Sequence, residues 1–212
     1  LIVPTELSEI KLSQYQKYFK IQEDNKDESF LATKMIEIFC GIPHKDSFRM
    51  KLRDVTKVTN ILGSLFDKKP KLKQRFMMNG VEYGFIPNLD DMSLGEFVDL
   101  DTYISSWDDM HKAMAVLYRP IETSFSGKYT IEKYKGEGQE LMKDIPLDVV
   151  FGSMLFFYRL GIDLSRVMMS YFQDKKQMPS RQLETLMENM DGLDKFTSSV
   201  NTILQELKIS LN

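Results

Sequence analysis

Cysteine and histidine are almost absent from this chain of 212 residues, and their scarcity removes most of the chemistry open to a protein of its size. The single cysteine, Cys40, excludes an intramolecular disulfide and a cysteine-built zinc site. It lies in the apolar stretch Met35–Ile42 (MIEIFCGI), which predicts a buried, inert thiol. Only two histidines are present, His44 and His111, too few for most hydrolytic and metal chemistries. Neither lies in a nucleophile–base pair or a ligand-spaced motif, and there is no glycine-rich phosphate loop. No catalytic, cofactor-binding or metal-ligating residue is assigned, and no cofactor is expected.

An excess of positive charge is missing too. Lys and Arg number 28 against 31 Asp and Glu, a net charge of −3, which disfavours generic nucleic-acid binding. No apolar run approaches the roughly 18 residues that span a bilayer. The longest clusters, Val149–Phe151 and Met154–Tyr158, are interrupted by Gly152 and Ser153 and followed by Arg159, so no membrane partner is expected. The opening Leu-Ile-Val-Pro has no basic residue before it and does not read as a signal peptide. The expectation is a chain lacking a few N-terminal residues, from a reducing cytosol or a particle assembled there.

What is present is a balanced globular composition, 42% hydrophobic and 28% charged. Ser13 is placed to cap a first helix through Tyr15, Tyr18, Phe19 and Ile21. Asp27 is placed to cap a second, carrying Phe30, Leu31, Met35, Ile38 and Phe39, and Gly41 and Pro43 stop it. A third carries Val55, Val58, Ile61, Leu62, Leu65 and Phe66. Then the period changes. Asn79-Gly80 supplies the two positive-φ positions of a type I′ turn, so Arg75–Ile86 reads as a hairpin. Ser93 and Glu96 form a capping box for a short helix expected to bury Leu94, Phe97, Val98 and Leu100. A helix from Trp107 to about Tyr118 follows, stopped by Pro120. Lys128–Tyr134 alternates as a third strand. Pro146 opens the most apolar helix, which Gly161 is expected to kink or interrupt.

The expected fold is mainly α with a small antiparallel β element: a helical lobe over residues 1–67, a central α+β region over 68–172 packed on it, and a C-terminal helical extension over 173–212. Two charged groups stand out. Asp90, Asp91, Asp99 and Asp101 form an acidic block, whose bland reading is capping and solvation and whose functional reading is a contact face. Arg119 is expected to pair with Asp99 or Asp101. His111 is expected to form an ion pair on a helix surface. Lys68, Lys69, Lys71, Lys73 and Arg75 form a basic linker, and opposite-sign faces on one chain permit head-to-tail contacts between copies. Met187 and Met190, in a methionine-rich C-terminal region, suit an adaptable partner groove. A hidden active site would draw on Asp99, Asp101, His111 and Arg119.

Specific motifs run through the chain: Pro4-x-x-Leu7-x-x-Ile10-x-Leu12-x-x-Tyr15, the continuous segment Gly84–Asp101 (GFIPNLDDMSLGEFVDLD), Met114–Ile121 (MAVLYRPI), Tyr129-x-Ile131-x-x-Tyr134, and Gly152 with Phe156-Phe157-Tyr158. With them the chain resembles a group of small proteins from tailed bacteriophages of Bacteroidota, including crAss-like phages, over about residues 4 to 160. The resemblance implies a non-enzymatic virion protein near the portal or neck, as a ring or head–tail adaptor contacting other phage structural proteins. Its alternatives are a tail-assembly chaperone absent from the mature virion, and a packaged or DNA-contacting protein.

Overall fold

The computed structural model describes residues 2–174, 192, 195, 197–198 and 201–202, with the side chains at 164–165 and 167–174 left aside. It is mainly helical with one small antiparallel sheet, as expected. Met187 and Met190 lie outside the described residues.

Four helices form the N-terminal lobe: α1 (Leu12–Asp24), α2 (Glu28–Cys40), the single turn α3 (His44–Ser47) and α4 (Leu52–Phe66). Asp27 caps α2 as expected, its Oδ1 accepting from the Ser29 and Phe30 amides at 2.9 and 3.1 Å. Gly41 ends that helix in the left-handed region, φ 68°. Ser13 is not the cap of α1. The helix starts at Leu12 with Lys11 in the cap position, two residues earlier, and the Gln14 side chain accepts from the Lys11 amide at 2.9 Å instead. Cys40 is half-buried, and burial pushes its thiol pKa up.

Strands β1 (Arg75–Met78) and β2 (Val81–Phe85) form the expected hairpin, with Asn79 at φ 52° and Gly80 at φ 79°. Two further strands complete a sheet of order β1-β2-β3-β4: β3 (Tyr118–Phe125) and β4 (Lys128–Ile131). β3 was not expected. Pro120 does end the preceding helix, but its fixed φ also suits an extended strand. It sits beside the register shift between Ile121 and Thr123, where a missing donor is tolerated.

Between β2 and β3 lie α5 (Leu94–Tyr103) and α6 (Met110–Leu117). α6 is buried on almost every side, Lys112 being the exception. The last helix, α7 (Leu147–Asp174), runs unbroken through Gly161; the absent side chain there admits Thr197 rather than a kink. Tyr15 joins the layers. Its ring lies 4.8 Å from Trp107 and 5.6 Å from both Phe66 and Phe151, so α1, α4, the entry to α6, and α7 share one core.

The lysines of the basic linker are exposed, while its backbone and Lys73 are tied to this core. At Gly152 a methyl group would sit 2.5 Å from the Lys71 carbonyl oxygen, so glycine lets that backbone lie directly on α7. Lys73 pairs with Asp148 at 2.5 Å, and its carbonyl accepts from the buried Tyr118 hydroxyl at 2.8 Å. Replacing Gly152 by Ala should therefore destabilise the protein by about 1–3 kcal/mol despite the better helix former. Gly63→Ala, in α4 with open space around it, should stabilise by about 0.5–1 kcal/mol. Urea denaturation of the two variants reads both signs.

Candidate functional site

Helix α5 is built inside out. Ser93 and Glu96 make the expected capping box: Glu96 Oε2 accepts from the Ser93 amide at 2.7 Å, and Ser93 Oγ accepts from the Glu96 amide at 3.3 Å. The remaining Glu96 oxygen then accepts from Arg119 Nη1 at 2.5 Å. Both partners are enclosed, and Glu96 is only 7% exposed. Arg119 reaches this point from β3, with its guanidinium 6.0 Å above the Tyr134 ring. One turn further along, Asp99 Oδ2 accepts from the Tyr134 hydroxyl at 2.7 Å. Glu96, Leu100 and Ile104 thus face inward at a spacing of four.

That rotation decides the opposite face. Leu94, Phe97 and Val98, spaced by three and four, point to solvent at 79%, 52% and 52% exposure. The expectation that they are buried was wrong, and only Leu100 of that set is in the core. The three-and-four spacing identifies an apolar face; it does not say which way the face points. Here the polar staple on the other side fixes the answer.

The ridge has an acidic border. From Ile86 to Asp109 there is no Lys, Arg or His, and seven carboxylates. Glu96 is neutralised by Arg119, and Asp109 pairs with Lys112 at 2.7 Å. Among the described residues Asp90, Asp91, Asp101 and Asp108 have no ion-pair partner. Asn88, not an aspartate, caps the turn Leu89–Asp91 by accepting from the Asp90 amide at 3.2 Å. Burial by itself would raise the Glu96 pKa. The Ser93 amide and hydroxyl and the Arg119 charge outweigh it and hold the carboxyl below the usual glutamate range. Burial, then the hydrogen bond to Asp99, pushes the Tyr134 pKa up to about 12, so the phenol stays a donor.

His111 and the basic run do not join this site, and Arg119 joins it with a different partner from the one expected. Arg119 pairs with Glu96 rather than with Asp99 or Asp101. His111 is buried at the start of α6, not on a surface: Nδ1 lies 3.3 Å from Gln16 Nε2, and Nε2 lies 3.5 Å from Glu140 Oε1. So of Asp99, Asp101, His111 and Arg119, only Asp99 and Arg119 come together, through Tyr134. Lys68 donates to the Thr5 carbonyl at 3.4 Å, and Lys69 also has an intramolecular contact. Arg75 donates to Ser124 Oγ at 2.9 Å and stacks 4.5 Å over Tyr129. Lys71 keeps an exposed side chain. A cleft of about 240 Å³ beside Arg119, lined by Tyr83, Glu132, Lys133, Tyr134 and Lys135, carries mixed charge.

Arg119→Met leaves the Glu96 carboxylate buried and unpaired and should cost about 3–5 kcal/mol, whereas adding Glu96→Leu should recover most of it. A urea double-mutant cycle measures this coupling, with Asp101→Asn as a control expected within about 0.5 kcal/mol of wild type. His111 gives a pH signature. Burial, then Lys143, depresses its folded pKa, so as the pH falls below about 6.5 the unfolded chain binds a proton first and stability drops. Glu96 adds a second loss of stability in more acid solution, below about 4.5, that deepens as the pH falls through its depressed folded value. Thermal unfolding against pH should show the first decline vanish in His111→Gln. No protein-family model, curated protein or solved structure matches this chain, so the meaning of the site rests on its own geometry.

Proposed function

We propose that this chain is a non-enzymatic structural protein of a tailed bacteriophage, a virion component near the portal or neck that works by protein–protein contact, as a ring or head–tail adaptor. The observation that carries the mode of action is the α5 ridge. Burying a side chain of the size of Leu, Val or Phe contributes roughly 1.5–3 kcal/mol. Leu94, Phe97 and Val98 withhold much of that from the isolated fold, while the buried Glu96–Arg119 pair prevents the helix from rolling over to collect it. A surface kept apolar in this way is a contact surface. The phage setting comes from the resemblance, whose longest motif, Gly84–Asp101, contains this same ridge.

The same ridge also favours the second reading, a tail-assembly chaperone, since an exposed apolar helix face can hold an unassembled partner. The DNA-contacting reading has less support, because Lys68, Lys69, Lys73 and Arg75 are engaged within the chain. Mass spectrometry of purified particles separates the first two: the virion reading expects the chain there in fixed stoichiometry, and its absence favours the chaperone. In either case Phe97→Asp should abolish incorporation or partner capture while shifting stability by no more than about 0.5 kcal/mol, as suits an exposed site.

A further inference from the structure

The chain carries a second exposed apolar patch, and its charge is opposite to that of the α5 ridge. Phe48, after α3, and Leu52, the first residue of α4, are 77% and 80% exposed. They border a groove of about 290 Å³ between α2 and α4, floored by Ala32, Thr33, Met50 and Val55. The segment 45–57, which supplies one wall, carries Lys45, Arg49, Lys51, Arg53 and Lys57, all exposed, against Asp46 and Asp54; with Glu28, the one charged residue that lines the groove itself, five cations less three carboxylates leave +2. Arg53 leans on its neighbour Asp54 at 3.5 Å, and among the described residues the other four cations have no ion-pair partner. The α5 segment from Asn88 to Asp101 carries five carboxylates and no cation, leaving −4 once Glu96 is paired with Arg119.

We infer that the occupant of the α2–α4 groove is the α5 ridge of a second copy of this chain. Three features match: a convex apolar ridge with an aromatic tip at Phe97, a concave apolar groove, and borders of opposite charge. Both patches are exposed, so they do not cover each other within one chain. An α5-to-α5 contact would bring Asp90, Asp91 and Asp101 against their own copies, and a groove-to-groove contact would do the same with the cations; like charges disfavour both. The remaining arrangement is heterologous. Each copy uses one patch and offers the other, which closes into a ring or continues as a filament. The inference rests on the assembly reading above and names its partner. It also moves the basic half of the contact from Lys68–Arg75 to Lys45–Lys57.

The test uses the full chain and two variants, Phe97→Asp, which spoils the ridge, and Leu52→Asp, which spoils the groove. Both positions are exposed, and circular dichroism checks their folding. In sedimentation at about 0.05 M salt and up to about 100 μM, wild type should associate, about tenfold more weakly at about 0.5 M. Each variant alone should be monomeric, and an equimolar mixture should give a one-to-one dimer that grows no further. Charge reversal with Asp90→Lys and Asp91→Lys should weaken wild-type association, and Arg49→Glu with Lys51→Glu in the mixing partner should restore it. Monomeric wild type under these conditions, self-association of Leu52→Asp alone, or a mixture without dimer would each overturn the inference. A monomeric chain that is nevertheless present in particles defeats this inference and leaves the virion reading standing. A dimerising mixture with the chain absent from particles does the reverse.

Discussion

The ion pair between Glu96 and Arg119 sets what this protein shows to its surroundings. It links the first turn of α5 to the second residue of β3 across 23 positions of sequence, at 2.5 Å and almost out of water. A buried pair is a poor source of net stability, because desolvation offsets most of its attraction. What it supplies is orientation. Once Glu96 is held by Ser93 and Arg119, and Asp99 by Tyr134, one rotation of α5 remains, and Leu94, Phe97 and Val98 face outward as its consequence.

The rest of the fold keeps that helix in place. Arg119 is where it is because β3 pairs with β2 and because Tyr118, the residue before it, is locked by hydroxyl contacts to the Lys73 carbonyl and Ser153. Ser153 and Gly152 belong to α7, which receives the Lys71 backbone and so fixes the segment entering β1. Of that segment's basic residues, Lys73 is held by Asp148 and Arg75 by Ser124 and Tyr129. Among the described residues, Lys45, Arg49, Lys51 and Lys57, around Phe48 and Leu52 on the N-terminal lobe, have no ion-pair partner.

Much of this was legible in the sequence. Asn79-Gly80, Asp27, Gly41 and the Ser93–Glu96 box each act within a few residues, and each does what its local chemistry demands. The rotation of α5 was not legible: periodicity defines a stripe, and only a partner 23 residues away makes the opposite stripe the buried one. β3 escaped because Pro120 gives the same helix-stop signal whether a loop or a strand follows. The turn at Ser126-Gly127, with φ values of 49° and 81°, was the local sign of a second hairpin. The basic run was legible as charge, but its ties to Thr5, Asp148 and Tyr129 depend on the folded chain. His111 looked like a surface group because its neighbours in sequence are acidic, whereas the fold buries it against Gln16 with Glu140 beside its other nitrogen.

A photoreactive phenylalanine analogue at position 97 probes the outward face of α5 most directly. Isotopically labelled chain carrying the analogue is mixed with unlabelled chain, irradiated and mapped by mass spectrometry. Cross-links between copies should fall on the peptide containing Phe48, Met50 and Leu52. Cross-links confined to residues of the same copy, or joining α5 to α5, would contradict this account.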